Sequence, residues 1–371
     1  MKRIALLGST GSIGVTALRV LDRHRDAFEL IALVAGSNRE RLAEQVAVWN
    51  PRYAALAGGN GDSQFPSGPE TLIEAATRPD VDIVINAVVG SAGLDATLAA
   101  LRAGKRVALA NKETLVTAGP LVAEAARQGG GEVVPIDSEH SAVLQCIVAQ
   151  GAGPSRVILT ASGGPFRTWD REKLEQATVA EALNHPTWQM GAKITVDSAT
   201  LANKALEVIE AHFLFGLSYD AIDVIVHPQS IVHAFVEFPD GSVLAQVGFP
   251  SMEVPILYAL THPGRLSDGG VRRFDPVAAG SLTFEPVRRE CFGAFALGVA
   301  AGRKGGTAPA AFNAGNEVAV AAFLDGRIPF GRIPAVIEAA LRRHDDAGTI
   351  TLDAVRAADT AARRHAEEAV E

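Results

Sequence analysis

Short apolar runs alternate with amphipathic segments over the first third of the chain. The apolar runs that have the length of buried strands are 2–7, 30–34, 83–88 and 106–110. Between them lie segments with helical spacing of apolar residues, of which 94–101 is the clearest. Strands and helices that alternate in this way predict a doubly wound parallel sheet, in an α/β domain that ends near residue 126.

A glycine-rich turn follows the first of these strands. GSTGSIG at 8–14 leads into an amphipathic run at 15–21, which gives the order strand, turn and helix. Such a turn lets backbone amides at a helix N-terminus bind a pyrophosphate, although a plain strand-to-helix connection has the same pattern. The second strand ends at AGSNR (35–39) without the acidic residue that holds NAD ribose hydroxyls, which favours NADP. Arg39 then either contacts the 2′-phosphate or lies in solvent.

Charged residues follow two later strands. The strand at 132–136 runs into DSEHS (137–141), and residues two apart on extended backbone point the same way, so Asp137 and Glu139 would reach one cation. The alternative is an ordinary helix start with Asp137 as its cap. The triplet at 111–113, Asn-Lys-Glu, lies at the carboxyl edge where such sheets bind ligands, or it too begins a surface helix.

The segment at 193–213 contains a predicted helix with polar residues among mostly apolar ones. Its buried stripe consists of Leu201, Ala205 and Val208. Asn203, Lys204 and Glu207 converge on a different face, which favours a pocket over a solvated surface. Ser198, just upstream, either adds a hydroxyl to that pocket or caps the helix.

Two loops have compositions typical of ligand contacts. ASGGPF at 161–166 offers a hydroxyl and free amides for an anion, or is only a turn. HPTWQMG at 185–191 places large apolar residues between Pro and Gly, which suggests a lid over a ligand or a loop tucked under the core. The segment 58–69 is expected to form a surface loop.

Composition narrows the class of protein. With 371 residues, 48% hydrophobic and 20% charged, the chain is an ordinary globular protein of two or three domains. No apolar stretch is long enough for a membrane span, and we expect a cytoplasmic protein. Two separated cysteines, Cys146 and Cys291, leave oxygen or imidazole as metal ligands. The net charge of −8 lacks the basic excess typical of nucleic-acid binding.

Sequence blocks spread over most of the chain resemble one family. In order they are GSTGSIG (8–14), ANKE (110–113), DSEHSA (137–142), SGGPF (162–166), HPTWQMG (185–191), KITVDSAT with NK and LEVIEAH (193–212), HPQSIVHAF (227–235) and NAGNEVAV (313–320). They resemble the 1-deoxy-D-xylulose 5-phosphate reductoisomerases, NADPH- and divalent-metal-dependent enzymes of the methylerythritol phosphate route to isoprenoids. The family reaction would rearrange the substrate by retro-aldol cleavage and aldol rejoining, and NADPH would then reduce the aldehyde to 2-C-methyl-D-erythritol 4-phosphate.

The resemblance implies roles for individual residues. NADPH would be held by Thr10, Gly11, Ser12, Ile13, Gly36, Asn38, Asn111, Glu113 and Gly191. Mg²⁺ or Mn²⁺ would be bound by Asp137, Glu139 and Glu207. The sugar phosphate would contact Lys112, Ser138, Glu139, Ser162, His185, Trp188, Ser198, Asn203, Lys204, Glu207 and Met252, with its phosphate on Ser162, Ser198, Asn203 and Lys204. The catalytic residues would be Lys112, Glu139, Lys204 and Glu207, and Trp188 and Met190 would belong to a closing flap.

The resemblance also implies an architecture. An N-terminal Rossmann-like NADPH-binding domain (1–126) would precede a central α/β catalytic and dimerisation domain (127–285). The helical patterns beyond residue 286 fit a C-terminal helical bundle (286–371). Some positions depart from the family pattern: Ala202 and Ala205 stand where Met and Gly are expected, and Ser251 and Glu253 where Asp and Arg are expected. Asn313, Asn316 and Glu317 receive no role.

Three classes of function are compatible with parts of this pattern. The first is the reductoisomerase. The second is another NADP-dependent dehydrogenase, which would share the first 126 residues but would not need Asp137, Glu139 and Glu207 together. A non-catalytic NADP-binding regulator would have no use for the carboxylates or the lid. The three carboxylates therefore favour the reductoisomerase. Its expected partner is a small sugar phosphate rather than nucleic acid or a membrane.

Overall fold

The computed structural model describes residues 1–59, 64–148, 150, 153–344 and 348–371. The chain forms two compact units: one comprises 1–114, 121–144 and 251–273, and the other 115–120, 145–250 and 274–371. The division into 1–126, 127–285 and 286–371 stays a prediction. Residues 60–63 of the predicted loop 58–69 lie outside the described residues. Among the residues described, no helix is long and apolar enough to cross a membrane.

Strands and helices alternate through most of the chain. The strands are β1 (Lys2–Leu7), β2 (Phe28–Ala35), β3 (Tyr53–Leu56), β4 (Ile83–Asn86), β5 (Arg106–Leu109), β6 (Glu132–Pro135), β7 (Arg156–Ala161), β8 (Ile222–Val226), β9 (Val232–Glu237), β10 (Val243–Val247) and β11 (Glu285–Pro286). The helices are α1 (Ser12–Arg23), α2 (Arg39–Trp49), α3 (Glu70–Thr77), α4 (Leu94–Arg102), α5 (Lys112–Gly129), α6 (Ser138–Ile147), α7 (Arg171–Glu175), α8 (Val179–Leu183), α9 (Ala192–Ala199), α10 (Ala202–Phe215), α11 (Glu253–Thr261), α12 (Pro276–Ala279), α13 (Gly293–Lys304), α14 (Ala308–Leu324), α15 (Ile333–Arg342) and α16 (Leu352–Val370).

The first unit contains the predicted parallel sheet. Its six strands run in the order β3-β2-β1-β4-β5-β6, and every pair is parallel. The chain reverses direction across the sheet between β1 and β4, and doubly wound folds bind ligands at such a switch point. Both faces are apolar because helices cover them; Ile4, Leu6 and Leu33 are fully buried in the core. Helix α11 joins this core through Ile256 and Leu260.

The second unit is built on a mixed sheet with helices around it. Its strand order is β10-β9-β7-β8-β11, in which β7 and β8 are parallel and the other pairs are antiparallel. The predicted C-terminal helices are present as α13 to α16 and pack on one another. The expected α/β fold class with a Rossmann-like sheet, a second sheet and many helices is confirmed.

The segment 193–213 forms two helices, and Ser198 does not lie at the start of the second, where it was predicted. Helix α9 ends at Ala199 and α10 begins at Ala202, and Leu201 between them has a left-handed backbone with φ of 57°. A buried leucine rarely adopts this conformation, so the surrounding packing must hold it there. The break means that Ser198 lies in the last turn of α9 and does not cap α10.

Helices α10 and α13 approach each other closely. A Cβ atom added at Gly298 of α13 would lie 2.6 Å from the Cβ of Ala205 on α10 and 2.5 Å from the ring of Phe312. Ala205 is one of the departures from the family pattern, in which glycine is expected at this position. The methyl group on α10 is accommodated because the facing position on α13 has no side chain.

We therefore expect Gly298→Ala to destabilise the protein by about 2 kcal/mol through overpacking. In an Ala205→Gly background the same change should cost about 1 kcal/mol less, because one of the two clashes is gone. Urea unfolding of the wild type, both single variants and the double variant measures this coupling. Additive effects would show that the two positions do not share the contact.

Candidate functional site

Two glycines of the turn after β1 lie against neighbouring backbone that leaves no room for a side chain. Gly8 has φ of 83°, and a Cβ there would lie 2.4 Å from the carbonyl oxygen of Ala87. A Cβ on Gly14 would lie 2.3 Å from the Gly8 oxygen. Both positions therefore require glycine. Helix α1 has neither a side-chain cap nor an acidic residue in its first turn, so its N-terminal amides suit an anion.

The residues after β2 are at the surface. Gly36 is exposed and has no atom within 4 Å of an added Cβ. Asn38 caps α2, since its side chain accepts a hydrogen bond of 3.1 Å from the amide of Arg41. The Arg39 guanidinium donates to Gln64 at 2.8 Å at the surface. No acidic residue lies at 35–39, as the NADP interpretation requires.

Buried asparagines shape the loops after β4 and β5. Asn111 caps α5 by accepting from Thr114, and its amide donates to the carbonyls of Val88 and Gly90, both at 2.7 Å. Asn86 at the end of β4 donates to the carbonyl of Gly93. Asn86 was not predicted from the sequence, although an amide that ends an otherwise apolar strand is a detectable signal. Asn111 does begin a helix, but the alternative of a surface helix is wrong, because residues 111–113 are buried.

Lys112 and Asp137 form a buried ion pair. The Lys112 Nζ lies 2.5 Å from an oxygen of Asp137, and the two side chains are 8% and 12% exposed. Helix α6 begins directly after Asp137, and Glu139 lies in its first turn, where it accepts from Ser138 at 2.7 Å. Residues 138 and 139 are helical rather than extended, so the geometry used for the prediction is wrong. Its result is confirmed, because carboxylate oxygens of Asp137 and Glu139 lie within 4.8 Å of each other, close enough to reach one cation.

In the second unit, the three polar residues of α10 lie together as predicted. Asn203 donates to Glu207 at 2.6 Å, and the Lys204 ammonium donates to the same carboxylate. Lys204 also donates to the carbonyl of Thr160 at 2.6 Å, at the end of β7. Lys204 and Glu207 are buried, so neither charge is stabilised by water and each depends on its partners.

The anion loop after β7 packs against the end of α9. Gly163 and Gly164 have φ of 85° and 64°, and a Cβ on Gly164 would lie 2.7 Å from the carbonyl oxygen of Ser198. Glycine at 164 therefore lets the loop that carries Ser162 approach the turn that carries Ser198. The predicted anion-binding hydroxyls occur on two segments in direct contact.

His185 is held in one tautomer at the start of the predicted lid. Its Nδ1 accepts from the backbone amides of Thr187 and Trp188, at 3.1 and 2.9 Å. The proton must then lie on Nε2, which donates to the Ser162 hydroxyl at 3.0 Å. Burial lowers the pKa of the imidazole, so the neutral form is favoured. Trp188 and Met190 are half-exposed, which disfavours the alternative of a loop tucked under the core.

In the first unit, Glu253, the residue after Met252, forms ion pairs with two arginines. Glu253 accepts from Arg19 at 3.1 Å and from Arg23 at 2.8 Å, both on α1. Arg23 also pairs with Asp268 at 2.7 Å. Met252 packs against the apolar core next to this cluster. Acidic Glu253, which replaces the basic residue expected of the family, is therefore fixed by arginines of the helix that follows the glycine turn.

Family models match three parts of the chain. The model described as 1-deoxy-D-xylulose 5-phosphate reductoisomerase matches residues 4–119. The model of the reductoisomerase C-terminal domain matches residues 133–215, and a further C-terminal domain model of the same enzymes matches 247–365.

Full-length relatives carry the same description. A 1-deoxy-D-xylulose 5-phosphate reductoisomerase from Heliobacterium modesticaldum is 50% identical over 383 aligned positions, which cover 100% of this chain and 98% of the relative. The enzyme of that description from Bacillus cereus is 46% identical, with 100% of both chains covered.

Solved structures agree over the whole chain. A DOX-P reductoisomerase in complex with NADPH, fosmidomycin and magnesium has a TM-score of 0.95 at 38% identity and covers 100% of this chain and 98% of its own. The reductoisomerase from Zymomonas mobilis in complex with NADPH has a TM-score of 0.91 at 39% identity, with 100% and 99% covered.

Proposed function

The chain belongs to the 1-deoxy-D-xylulose 5-phosphate reductoisomerase family, and from this premise we propose how its residues divide the reaction. The protein is an NADPH- and divalent-metal-dependent oxidoreductase that converts 1-deoxy-D-xylulose 5-phosphate to 2-C-methyl-D-erythritol 4-phosphate in isoprenoid biosynthesis. The observation that supports the residue assignment most strongly is the hydrogen-bonded cluster of Asn203 with the buried Lys204 and Glu207, which stands at the family's motif positions.

We assign NADPH to the crevice beside β1 and β4. The uncapped N-terminus of α1 would bind the pyrophosphate through the amides of 10–13. Gly36 and Asn38 would line the adenosine side, where no carboxylate would repel a 2′-phosphate. Asn111 and Glu113 would fix the loops after β4 and β5 around the cofactor, and Gly191 would approach it from the lid.

We assign the divalent cation to Asp137, Glu139 and Glu207. These oxygen ligands suit Mg²⁺, and we propose that Mn²⁺ is accepted as well. The donor set fits such an ion because the carboxylates of Asp137 and Glu207 already form ion pairs with the cations Lys112 and Lys204. A bound cation supplies Lewis-acid polarisation of the substrate carbonyl and its adjacent hydroxyl.

The sugar phosphate is assigned to the segments around α9 and α10. Ser162, Ser198, Asn203 and Lys204 would hold the phosphate, since the anion loop and the end of α9 are in contact. Ser138 and His185 would contact the sugar hydroxyls. The neutral His185 Nε2–H, already donating to Ser162, would orient that hydroxyl toward the anion.

The remaining residues would stabilise negative charge on the substrate or exclude water from it. The ammonium groups of Lys112 and Lys204 would stabilise negative charge that develops on the substrate, in a setting where few waters compete. The half-exposed Trp188 and Met190 would cover the substrate when the lid closes and exclude water from it, and Met252 would line the pocket.

The proposal also covers the roles of the domains, the oligomeric state and the location of the protein in the cell. Residues 1–126 would bind NADPH, 127–285 would carry catalysis and dimerisation, and 286–371 would form the helical bundle. We propose that the enzyme works as a homodimer in the cytoplasm, as the family resemblance implies. Sedimentation velocity of the purified chain tests the dimer directly.

The function is tested by following NADPH oxidation with 1-deoxy-D-xylulose 5-phosphate. We expect turnover that requires added Mg²⁺ or Mn²⁺ and disappears with a chelator, because the carbonyl must be polarised. A heat-inactivated sample is the control for background oxidation. Turnover that is unchanged by the chelator would contradict the metal-dependent reaction.

A further inference from the structure

A buried polar contact joins the C-terminal helices to the predicted phosphate-binding turn. Asn316 on α14 is fully buried, and its amide donates at 2.7 Å to the carboxylate of Asp197 on α9. Asp197 is 1% exposed. A hydrogen bond to a buried carboxylate is stronger than a neutral one, and its loss leaves the charge poorly solvated.

The second oxygen of Asp197 is also held. The Lys193 ammonium lies 2.8 Å from it, one turn earlier on α9. The N-terminal end of α9 is fixed to Gly191, whose carbonyl accepts from the amide of Thr195 at 3.0 Å. Both of these contacts lie within α9, whereas the bond from Asn316 ties the Asp197 carboxylate to another helix and so restrains the rotation of α9 about its own axis.

Ser198 is the next residue on this helix. Because Asp197 faces the bundle and successive residues are about 100° apart, fixing Asp197 sets the direction of Ser198. The carbonyl of Ser198 is in close contact with the anion loop at Gly164. A small rotation of α9 would therefore move both Ser198 and this contact.

We propose that Asn316 is a positioning residue for substrate phosphate, acting through Asp197 to orient Ser198. This rests on the proposed function, in which Ser198 holds the phosphate. It gives a role to the block 313–320, which the sequence analysis left without one. Asn316 touches no reacting atom, so its effect appears in substrate affinity rather than in the chemical step.

The chain offers a matched control on the same helix. Asn313 is also fully buried and also donates to a carboxylate, that of Glu317 at 3.0 Å, which is on its own helix rather than on α9. Asn313→Ala should disturb α14 about as much as Asn316→Ala does. Only the second variant removes the bond to Asp197.

The test compares KM for 1-deoxy-D-xylulose 5-phosphate and for NADPH. We expect Asn316→Ala to raise the substrate KM about tenfold, with NADPH KM and kcat changed less than about twofold, because misplaced binding groups weaken the complex. Asn313→Ala should leave the substrate KM near the wild-type value. Equal changes in the two variants would overturn the proposal in favour of a general loss of stability.

Two further measurements test the positioning role, and the second does so independently of the proposed function. Asn316→Asp should raise the substrate KM more than Asn316→Ala does, since it places two carboxylates against each other. Adding Asp197→Asn should bring the substrate KM back towards the wild-type value.

Hydrogen exchange at 195–200 should be faster in Asn316→Ala than in Asn313→Ala, and this needs no turnover. Equal exchange in both variants would overturn the positioning role even if the wild type proved inactive on this substrate.

Discussion

Glu207→Gln is expected to abolish most metal-dependent turnover while NADPH binding is retained. Glutamine keeps the shape of the side chain but removes the negative charge that would bind the cation and that now pairs with Lys204. Loss of one electrostatic contribution to a buried site costs about 10²- to 10³-fold in kcat. Turnover against Mg²⁺ concentration and NADPH fluorescence titration measure the two effects separately.

Glu210 provides the comparison for this variant. It is one turn further along α10 and equally buried at 1% exposure. Glu210→Gln should keep the Mg²⁺ dependence of the wild type, whatever it does to thermal stability. If Glu210→Gln lost that dependence and Glu207→Gln kept it, the ligand on α10 would have been assigned to the wrong residue.

Lys112→Met is expected to destabilise the metal-free protein and to make its stability depend on Mg²⁺. Breaking a buried ion pair by removing one partner costs about 3 kcal/mol, because the Asp137 carboxylate loses the counter-charge of Lys112. A cation bound by Asp137 would supply that charge, so Mg²⁺ should raise the melting temperature of the variant more than that of the wild type. Turnover should fall by about 10²-fold or more.

Lys105 is the matched control in the same unit. It is a buried lysine whose ammonium donates to the backbone carbonyls of Arg78 and Val81 rather than to a carboxylate. Burial lowers its pKa. Lys105→Met should lower stability without any added response to Mg²⁺. An equal Mg²⁺ response in both variants would remove Asp137 from the proposed ligands.

The parallel sheet could be predicted because its signals are local. Apolar runs of strand length, separated by helical spacing, predicted β1, β2, β4, β5 and β6 but not the short edge strand β3. The glycines at 8 and 14 are required by contacts within a few residues of the turn or with the loop after the neighbouring strand. The polar face of α10 was also predictable, since i, i+3 and i+4 spacing alone brings Asn203, Lys204 and Glu207 together.

Features set by tertiary packing could not be predicted in the same way. No residue type near 201 indicates a helix break, because leucine ordinarily continues a helix. Here the surrounding packing holds Leu201 in a left-handed conformation. The partner of Asp197 is 119 positions away in sequence, so no local pattern connects it to Asn316. The Lys112 and Asp137 pair likewise depends on two strands being neighbours in the sheet.

The contact between Gly298 and Ala205 has a consequence for exchanging segments between relatives. The two positions lie on opposite sides of the predicted boundary at residue 285, so a hybrid enzyme would inherit them from different parents. A C-terminal segment with alanine at 298 is compatible with glycine at 205 but would clash with the alanine of this chain. Hybrids of this protein should therefore be built with residues 205 and 298 taken from the same parent.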